Sequence, residues 1–140
     1  AGGAAEYQPE PVASLQARVV LVREVPPGST VGYGATHISR GWERWATVAI
    51  GYGDGLPRAL SNQGSAIVRG RRVRVVGRIS MDMTVVDVTG VPEVTAGDIA
   101  TFIGADGEEE ILVDEVAVLA GTISYEILTG LTPRLPRTEV

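Results

Sequence analysis

The chain has 140 residues, 44% of them hydrophobic, and a formal net charge of −5. Its 12 basic residues are all arginine, so it has no lysine; it also has no cysteine and only one histidine, His37. This composition excludes disulfides, thiolate metal sites, cysteine nucleophiles and a Schiff base formed on this chain alone, and the acidity argues against general nucleic-acid binding.

Residues 1–14 (AGGAAEYQPEPVAS) are small, polar and proline-bearing, and they predict a flexible leader or linker remnant ahead of one domain over 15–140. Ala17–Val25 alternates, is rich in Val and Leu, and stops at Pro26-Pro27-Gly28, which predicts a strand. Trp45–Ile50 is a second candidate, ended by the Gly51–Gly55 cluster. Ser65–Arg69 and Arg72–Val76 flank Gly70-Arg71, a candidate tight hairpin. Met83–Val88 and Asp98–Ile103 follow as strands, and Asp106-Gly107 marks a turn.

Only the C-terminal part reads as helical. Val113–Leu119 has Asp114 near its start and Gly121 after it, and Ser124–Thr129 is closed by Gly130. Pro133–Arg137 is too proline-rich for a helix and is expected to return as an edge strand. Many short strands with turns at close spacing predict an all-β fold, a barrel-like domain or β-sandwich with one or two short helices near the C-terminus. No apolar run approaches the ~20 residues of a membrane span and no secretory signal is recognisable, so a cytoplasmic location is expected.

Several residues bear on chemistry. Arg72 and Arg74 share one face of a strand whose other face carries Val73 and Val75. A solvated outer face is favoured there over an anion-binding surface, given the overall acidity. His37 lies among polar residues and receives no role. Asp54, in Gly-Asp-Gly, is expected to stabilise a turn; that sequence is too short for a calcium loop. Asp82 is a free carboxylate candidate for a base or metal ligand. Tyr33 and Tyr52 each stand between glycines, which remove steric cover from the phenol, and Tyr125 lies between Ser124 and Glu126. A phenol titrates near ~10 and serves as a base only when cations or hydrogen bonds stabilise the phenolate. For any one tyrosine alone, a core position with a satisfied hydroxyl is the stronger expectation.

Four segments change that weighting when taken together. They are Val31-Gly-Tyr-Gly-Ala-Thr36, Val48-Ala-Ile-Gly-Tyr-Gly-Asp-Gly55, Val76-Gly-Arg-Ile-Ser-Met-Asp-Met83 and Ile123-Ser-Tyr-Glu-Ile127. In this order and spacing they resemble the C-terminal β-domain of alanine racemases, and the framing segments Arg18–Val25 and Leu131–Arg137 match as well. The resemblance covers roughly residues 15–137, and it implies that an N-terminal α/β barrel bearing the cofactor lysine belongs to the intact enzyme but not to this chain.

The resemblance also implies roles. Tyr33 matches the tyrosine base that acts on one face of the substrate, with the barrel lysine acting on the other. Met81 matches the residue whose backbone N–H holds the substrate carboxylate, and Tyr125 the tyrosine that hydrogen-bonds the phosphate of pyridoxal 5′-phosphate. Tyr52 matches an inner-gate tyrosine, while Arg58, Arg78 and Ile123 fall along the outer substrate corridor; no metal is implied. Ser80 stands where many members have cysteine, and His37 where many have tyrosine.

The implied reaction is interconversion of L- and D-alanine, supplying D-alanine for peptidoglycan. It takes place in a homodimer in which Tyr33 reaches the partner's active site, and this chain alone is expected to be inactive. The alternatives are a broad-specificity amino-acid racemase of the same architecture and a stand-alone, non-catalytic β-domain serving assembly.

Overall fold

The computed structural model describes residues 13–31, 37–122, 127 and 137–139. Among these residues eight strands form: β1 (Ala13–Val25), β2 (Glu43–Val48), β3 (Ser65–Val68), β4 (Arg71–Val76), β5 (Thr84–Asp87), β6 (Ile99–Asp106), β7 (Glu109–Ile111) and β8 (Arg137–Glu139). Their order is β7-β6-β3-β4-β5-β2-β1-β8, with every pairing antiparallel. β1 also pairs with β6, so β6-β3-β4-β5-β2-β1 closes into a ring, with β7 and β8 lying outside it. Closure removes the unpaired edges that an open sheet would expose. The all-β, barrel-like expectation holds.

The 13 residues of β1 make that closure possible. Leu15–Arg18 pair with β6 and Val19–Val25 with β2, and the register shifts at Leu15/Gln16 and Val19/Leu21. Such bulges bend a strand and increase its twist, which lets one strand serve two neighbours around a tight ring.

Side-chain alternation divides the apolar residues into two groups. Val19, Ala46, Val48, Ile67, Val75, Val86 and Phe102 belong to the main core. Trp45 and Val76, on the opposite face of their strands, join Val25 and Val31 in a second cluster. Trp45 is only 1% exposed. His37 meets its ring edge-on at 5.6 Å and the Arg23 guanidinium lies 5.7 Å from its centroid. The Trp45 indole N–H donates to Glu43 Oε1 at 2.8 Å, and His37 Nε2 lies 3.2 Å from the same oxygen. Burial pushes the Glu43 carboxyl up, but the indole and His37 outweigh it and hold the group below its ordinary value. His37 is thus half-buried and partnered.

The helix α1 (Val113–Ala120) buries Val116 and Ala117 and ends at Gly121, whose left-handed backbone brings its N–H to the Ala117 and Val118 carbonyls. It packs against a 3-10 turn at Arg58–Leu60. In β4, Val73 and Val75 are buried while Arg72 and Arg74 face solvent, as the alternation predicts. Arg72 nonetheless has partners: it reaches Glu115 at 2.6 Å, Glu109 at 3.4 Å and the Glu110 carbonyl at 2.8 Å, tying α1 and β7 to the ring.

Several boundaries differ from the sequence reading. β1 begins at Ala13, not Ala17, because its first residues pair with β8. β2 covers Glu43–Val48, not Trp45–Ile50: Glu43 and Arg44 pair with β1, while Ile50 leaves the ladder as its N–H turns to the Val48 carbonyl. The β3–β4 hairpin turns on Arg69-Gly70 instead of Gly70-Arg71, since Val68 pairs with Arg71 and both loop residues have positive φ (52° and 74°), as this tight turn requires. β5 is shorter than Met83–Val88, and β6 runs past Ile103 to Asp106 because β7 pairs with its end. Two 3-10 turns, Tyr52–Asp54 and Arg58–Leu60, lie where no helical structure is expected. Of the predicted helix Ser124–Thr129, only buried Ile127 is among the described residues, and of Pro133–Arg137 only Arg137, which opens the edge strand β8.

A depressed carboxyl stabilises the fold above its unfolded pKa and ceases to do so as pH falls through the lower folded value. Glu43→Gln should therefore flatten the loss of stability below about pH 4.5, measured as urea midpoints between pH 6 and pH 3. The Arg69–Asp98 pair also depresses its carboxyl but is solvent-screened, so Asp98→Asn should have the smaller effect.

Candidate functional site

Two loops meet at one rim of the ring. The first, Gly51–Gly55, follows β2 and contains the 3-10 turn Tyr52–Asp54. Asp54 is 1% exposed and its carboxylate accepts the Gly51 N–H at 3.0 Å, which is the turn-stabilising role its setting predicts. The second, Gly77–Met83, joins β4 to β5. Ser80 closes its tip: its N–H donates to the Met83 carbonyl at 3.0 Å, and its hydroxyl accepts the Met83 N–H at 3.1 Å.

The loops are joined backbone to backbone. The Tyr52 N–H donates to the Ser80 carbonyl at 2.9 Å, and the Gly53 N–H to the Met81 carbonyl at 2.7 Å. A Cβ at residue 51 would stand 2.2 Å from the Ser80 oxygen, and one at residue 53 would stand 2.8 Å from Met81 Cγ. Glycine is needed at both positions for this approach. Behind the loops, the buried Thr84 hydroxyl donates to the Ile50 carbonyl at 2.6 Å.

Among the sequence-predicted site residues, Tyr52, Arg58 and Met81 come together. Tyr52 is 40% exposed, so it is not a core tyrosine, and the Arg58 guanidinium lies 4.6 Å over its ring. Met81 is 60% exposed. Gly53, Asp54, Met81 and Asp82 line an open depression of about 280 Å³. Arg78 is exposed on the same loop, and Asp82 is exposed at its tip. No group of three or more His, Asp or Glu residues suited to a metal occurs among the described residues.

Tyr33, Ile123 and Tyr125 lie outside the described residues, but their flanks are described. The Val31 N–H donates to the His37 carbonyl at 3.4 Å. Val31 is buried against Gly77, whose φ is +77° and where a Cβ would meet Val31 Cγ1 at 2.4 Å. Val31, two residues before Tyr33 in sequence, is therefore packed on the Met81 loop. Beyond α1, the Thr122 N–H donates to the Ala117 carbonyl at 3.0 Å, one residue before Ile123.

Ser61 and Asn62 escaped the sequence reading. The Asn62 side-chain oxygen accepts the Gly77 N–H at 2.7 Å, and the Ser61 hydroxyl accepts the Ile79 N–H at 2.9 Å. The available signal was a polar Ser-Asn pair closing a short turn, with asparagine tolerant of the positive φ (61°) found there.

Comparison with known proteins places this geometry. The profile of the family described as "Alanine racemase, C-terminal domain" matches residues 12–139. The alanine racemase of Halothermothrix orenii is 43% identical over 128 residues, which is 91% of this chain and 34% of that protein. A crystal structure of alanine racemase from Bacillus anthracis with bound L-Ala-P is similar with a TM-score of 0.83 and 39% identity, over 91% of this chain and 32% of that one. One from Bartonella henselae with covalently bound pyridoxal phosphate gives 0.79 and 37%, over 85% and 32%. The chain thus spans about a third of the length of the curated relatives it matches.

The backbone contact between the loops leads to a direct expectation. Gly51→Ala should destabilise the fold by about 1–3 kcal/mol, the usual range for overpacking. It should also speed hydrogen exchange at the Tyr52 and Gly53 amides more than at β2, read by urea unfolding and exchange mass spectrometry.

Proposed function

The chain belongs to the family of alanine racemase C-terminal domains, and from that membership we propose that it supplies the all-β part of a pyridoxal-phosphate-dependent enzyme interconverting L- and D-alanine. The observation that carries the reading is the orientation of one peptide group. In a trans peptide the N–H points opposite to the C=O. The Ser80 carbonyl is held by the Tyr52 N–H, so the Met81 N–H is aimed away from the Gly51–Gly55 turn, and it has no acceptor among the described residues. A fixed, outward main-chain donor of this kind suits a substrate carboxylate.

Racemisation requires proton transfer on both faces of the α-carbon. Tyr33 takes or returns the proton on one face through its phenolic oxygen, and a lysine outside this chain serves the other. A free phenol is a weak acid, so a tyrosine base in this role requires a cation from the rest of the enzyme to stabilise the phenolate. Met81 holds the carboxylate through its N–H. Tyr52, its ring held under Arg58, narrows the approach, with Arg58, Arg78 and Ile123 further out along the corridor. The resulting steric limit favours a side chain as small as alanine's.

Pyridoxal phosphate fits this chain as a shared ligand. The chain has no lysine to link it covalently; by family resemblance, Tyr125 is the residue of this chain that would hold the group, through a hydrogen bond from its hydroxyl to the phosphate. When bound, the cofactor supplies the electron sink that acidifies the α-proton. The working enzyme is a cytoplasmic homodimer in which Tyr33 serves the partner's active site, and its D-alanine feeds peptidoglycan.

Tyr33→Phe in the full-length enzyme should reduce racemisation by ~10²–10⁴-fold with little change in stability. Following α-proton exchange from each enantiomer separately, exchange on the tyrosine face should fall far more than exchange on the lysine face; equal losses would remove Tyr33 from this role.

Tyr52→Ala tests the gate. Because the side chain is 40% exposed, the variant should stay folded. Serine and valine should gain relative to alanine in kcat/KM by roughly ten- to a hundredfold, the scale of pocket discrimination. An unchanged substrate panel in a folded variant would take Tyr52 out of the corridor.

A further inference from the structure

The Met81 loop turns between Ser80 and Met83, with Met81 and Asp82 at its tip and buried Ile79 and Thr84 on either side. In a two-residue hairpin the residues flanking the tip exchange two main-chain hydrogen bonds, each N–H donating to the other's carbonyl. Only one of them is made here by the main chain: the Ser80 N–H donates to the Met83 carbonyl at 3.0 Å. A side chain makes the other. The Met83 N–H donates at 3.1 Å to the Ser80 hydroxyl, which itself donates to the Met83 carbonyl at 3.1 Å. Serine hydroxyls stand in for backbone groups in turns in this way.

The exchange releases the Ser80 carbonyl from its own turn. It accepts the Tyr52 N–H instead, at 2.9 Å. Ser80 thus engages its N–H, its hydroxyl and its carbonyl at once, and the last of these contacts decides which way the Ser80–Met81 peptide faces. The Met81 N–H belongs to that peptide group, so it points opposite to the Ser80 carbonyl and away from the Gly51–Gly55 turn. The next peptide is fixed separately, by the Gly53 N–H on the Met81 carbonyl at 2.7 Å.

We infer that Ser80 is a positioning residue of the racemase site: its hydroxyl occupies the Met83 N–H and so keeps the Ser80–Met81 peptide turned with the Met81 N–H toward the substrate carboxylate. This rests on the role given to the Met81 N–H above. Without the hydroxyl, the Ser80 carbonyl is the turn's own acceptor for the Met83 N–H. Moving to it swings the carbonyl away from Tyr52 and takes the Met81 N–H off its line to the carboxylate.

The test uses the full-length holoenzyme, with propionate as a probe that carries the carboxylate but no amine. Ser80 is exposed, so Ser80→Ala should stay folded. It should raise KM for alanine and the inhibition constant of propionate about 10- to 100-fold, the worth of one hydrogen bond to a charged group, with a smaller change in kcat. Hydrogen exchange should speed up at the Tyr52 amide, which loses its acceptor, more than at the Gly53 amide, which keeps its own. Ser80→Thr, which retains a hydroxyl, should recover both properties. Should Ser80→Ala fail to fold, Ser80→Cys, whose thiol is a weaker hydrogen-bonding group, should show the same pattern in milder form. Replacing Met81 by its α-hydroxy acid turns the Ser80–Met81 amide into an ester and removes that N–H; it should weaken propionate at least as much as Ser80→Ala does. An ester that leaves propionate inhibition unchanged overturns the reading of Met81 and this inference with it. Weakening in the ester but not in Ser80→Ala, or in Ser80→Cys where that replaces it, overturns the role of Ser80 alone. Equal rises in exchange at Tyr52 and Gly53, or failure of Ser80→Thr to recover propionate binding, overturn it as well.

Discussion

Two main-chain hydrogen bonds, from Tyr52 to Ser80 and from Gly53 to Met81, fix how the two site loops stand relative to each other. Because backbone atoms alone make this junction, the side chains of Tyr52 and Met81 are released from structural duty and stand exposed. Glycine at residues 51 and 53 is the condition for it, since the loops approach more closely than any Cβ would permit. The orientation of the Met81 amide follows from the same contact. A site built in this way sets its geometry through residues whose side chains take no part in the chemistry.

The ring beneath holds these loops in register. β2 and β5 are neighbours, with Val48 paired to Thr84, so the loop leaving β2 and the loop entering β5 emerge side by side. The Thr84 hydroxyl, bonded to the Ile50 carbonyl, extends that pairing past the end of the ladder. A third segment arrives over the outer face, where Val31 packs with Trp45 and Val76. Trp45 gives this outer layer an apolar platform, and Glu43 satisfies its indole N–H, so the layer buries no unpaired donor there.

Much of this was legible in the residues. Val73 and Val75 alternating with Arg72 and Arg74 revealed a half-buried strand, because a two-residue period survives whatever the strand pairs with. Asp54 between glycines announced its turn, and Gly121 marked the end of α1. The three acidic residues before Ile111 gave no sign of β7, whose strand character comes entirely from pairing with the far end of β6. Glu43 and Arg44 likewise join β2 only because β1 lies opposite. Tyr52, Arg58 and Met81, which the structure brings together, were singled out through family resemblance. Asn62 was not, since its contact with Gly77 spans 15 residues and neither residue carries a local pattern that points to the other.

The ladders of the ring are unequal in length. β1 and β2 share six paired positions, whereas β3 and β6 share only two, Ile67 with Thr101 and Val68 with Ala100. At the end of that shortest ladder the Arg69 guanidinium grips the Asp98 carboxylate with two hydrogen bonds, at 2.8 and 3.2 Å. A closed sheet must part somewhere before it can unfold, and the fewest backbone bonds need break there. The β3–β6 ladder is therefore the seam of the barrel and this forked ion pair its clasp, on the side of the ring away from the β2–β5 pairing that supports the site loops.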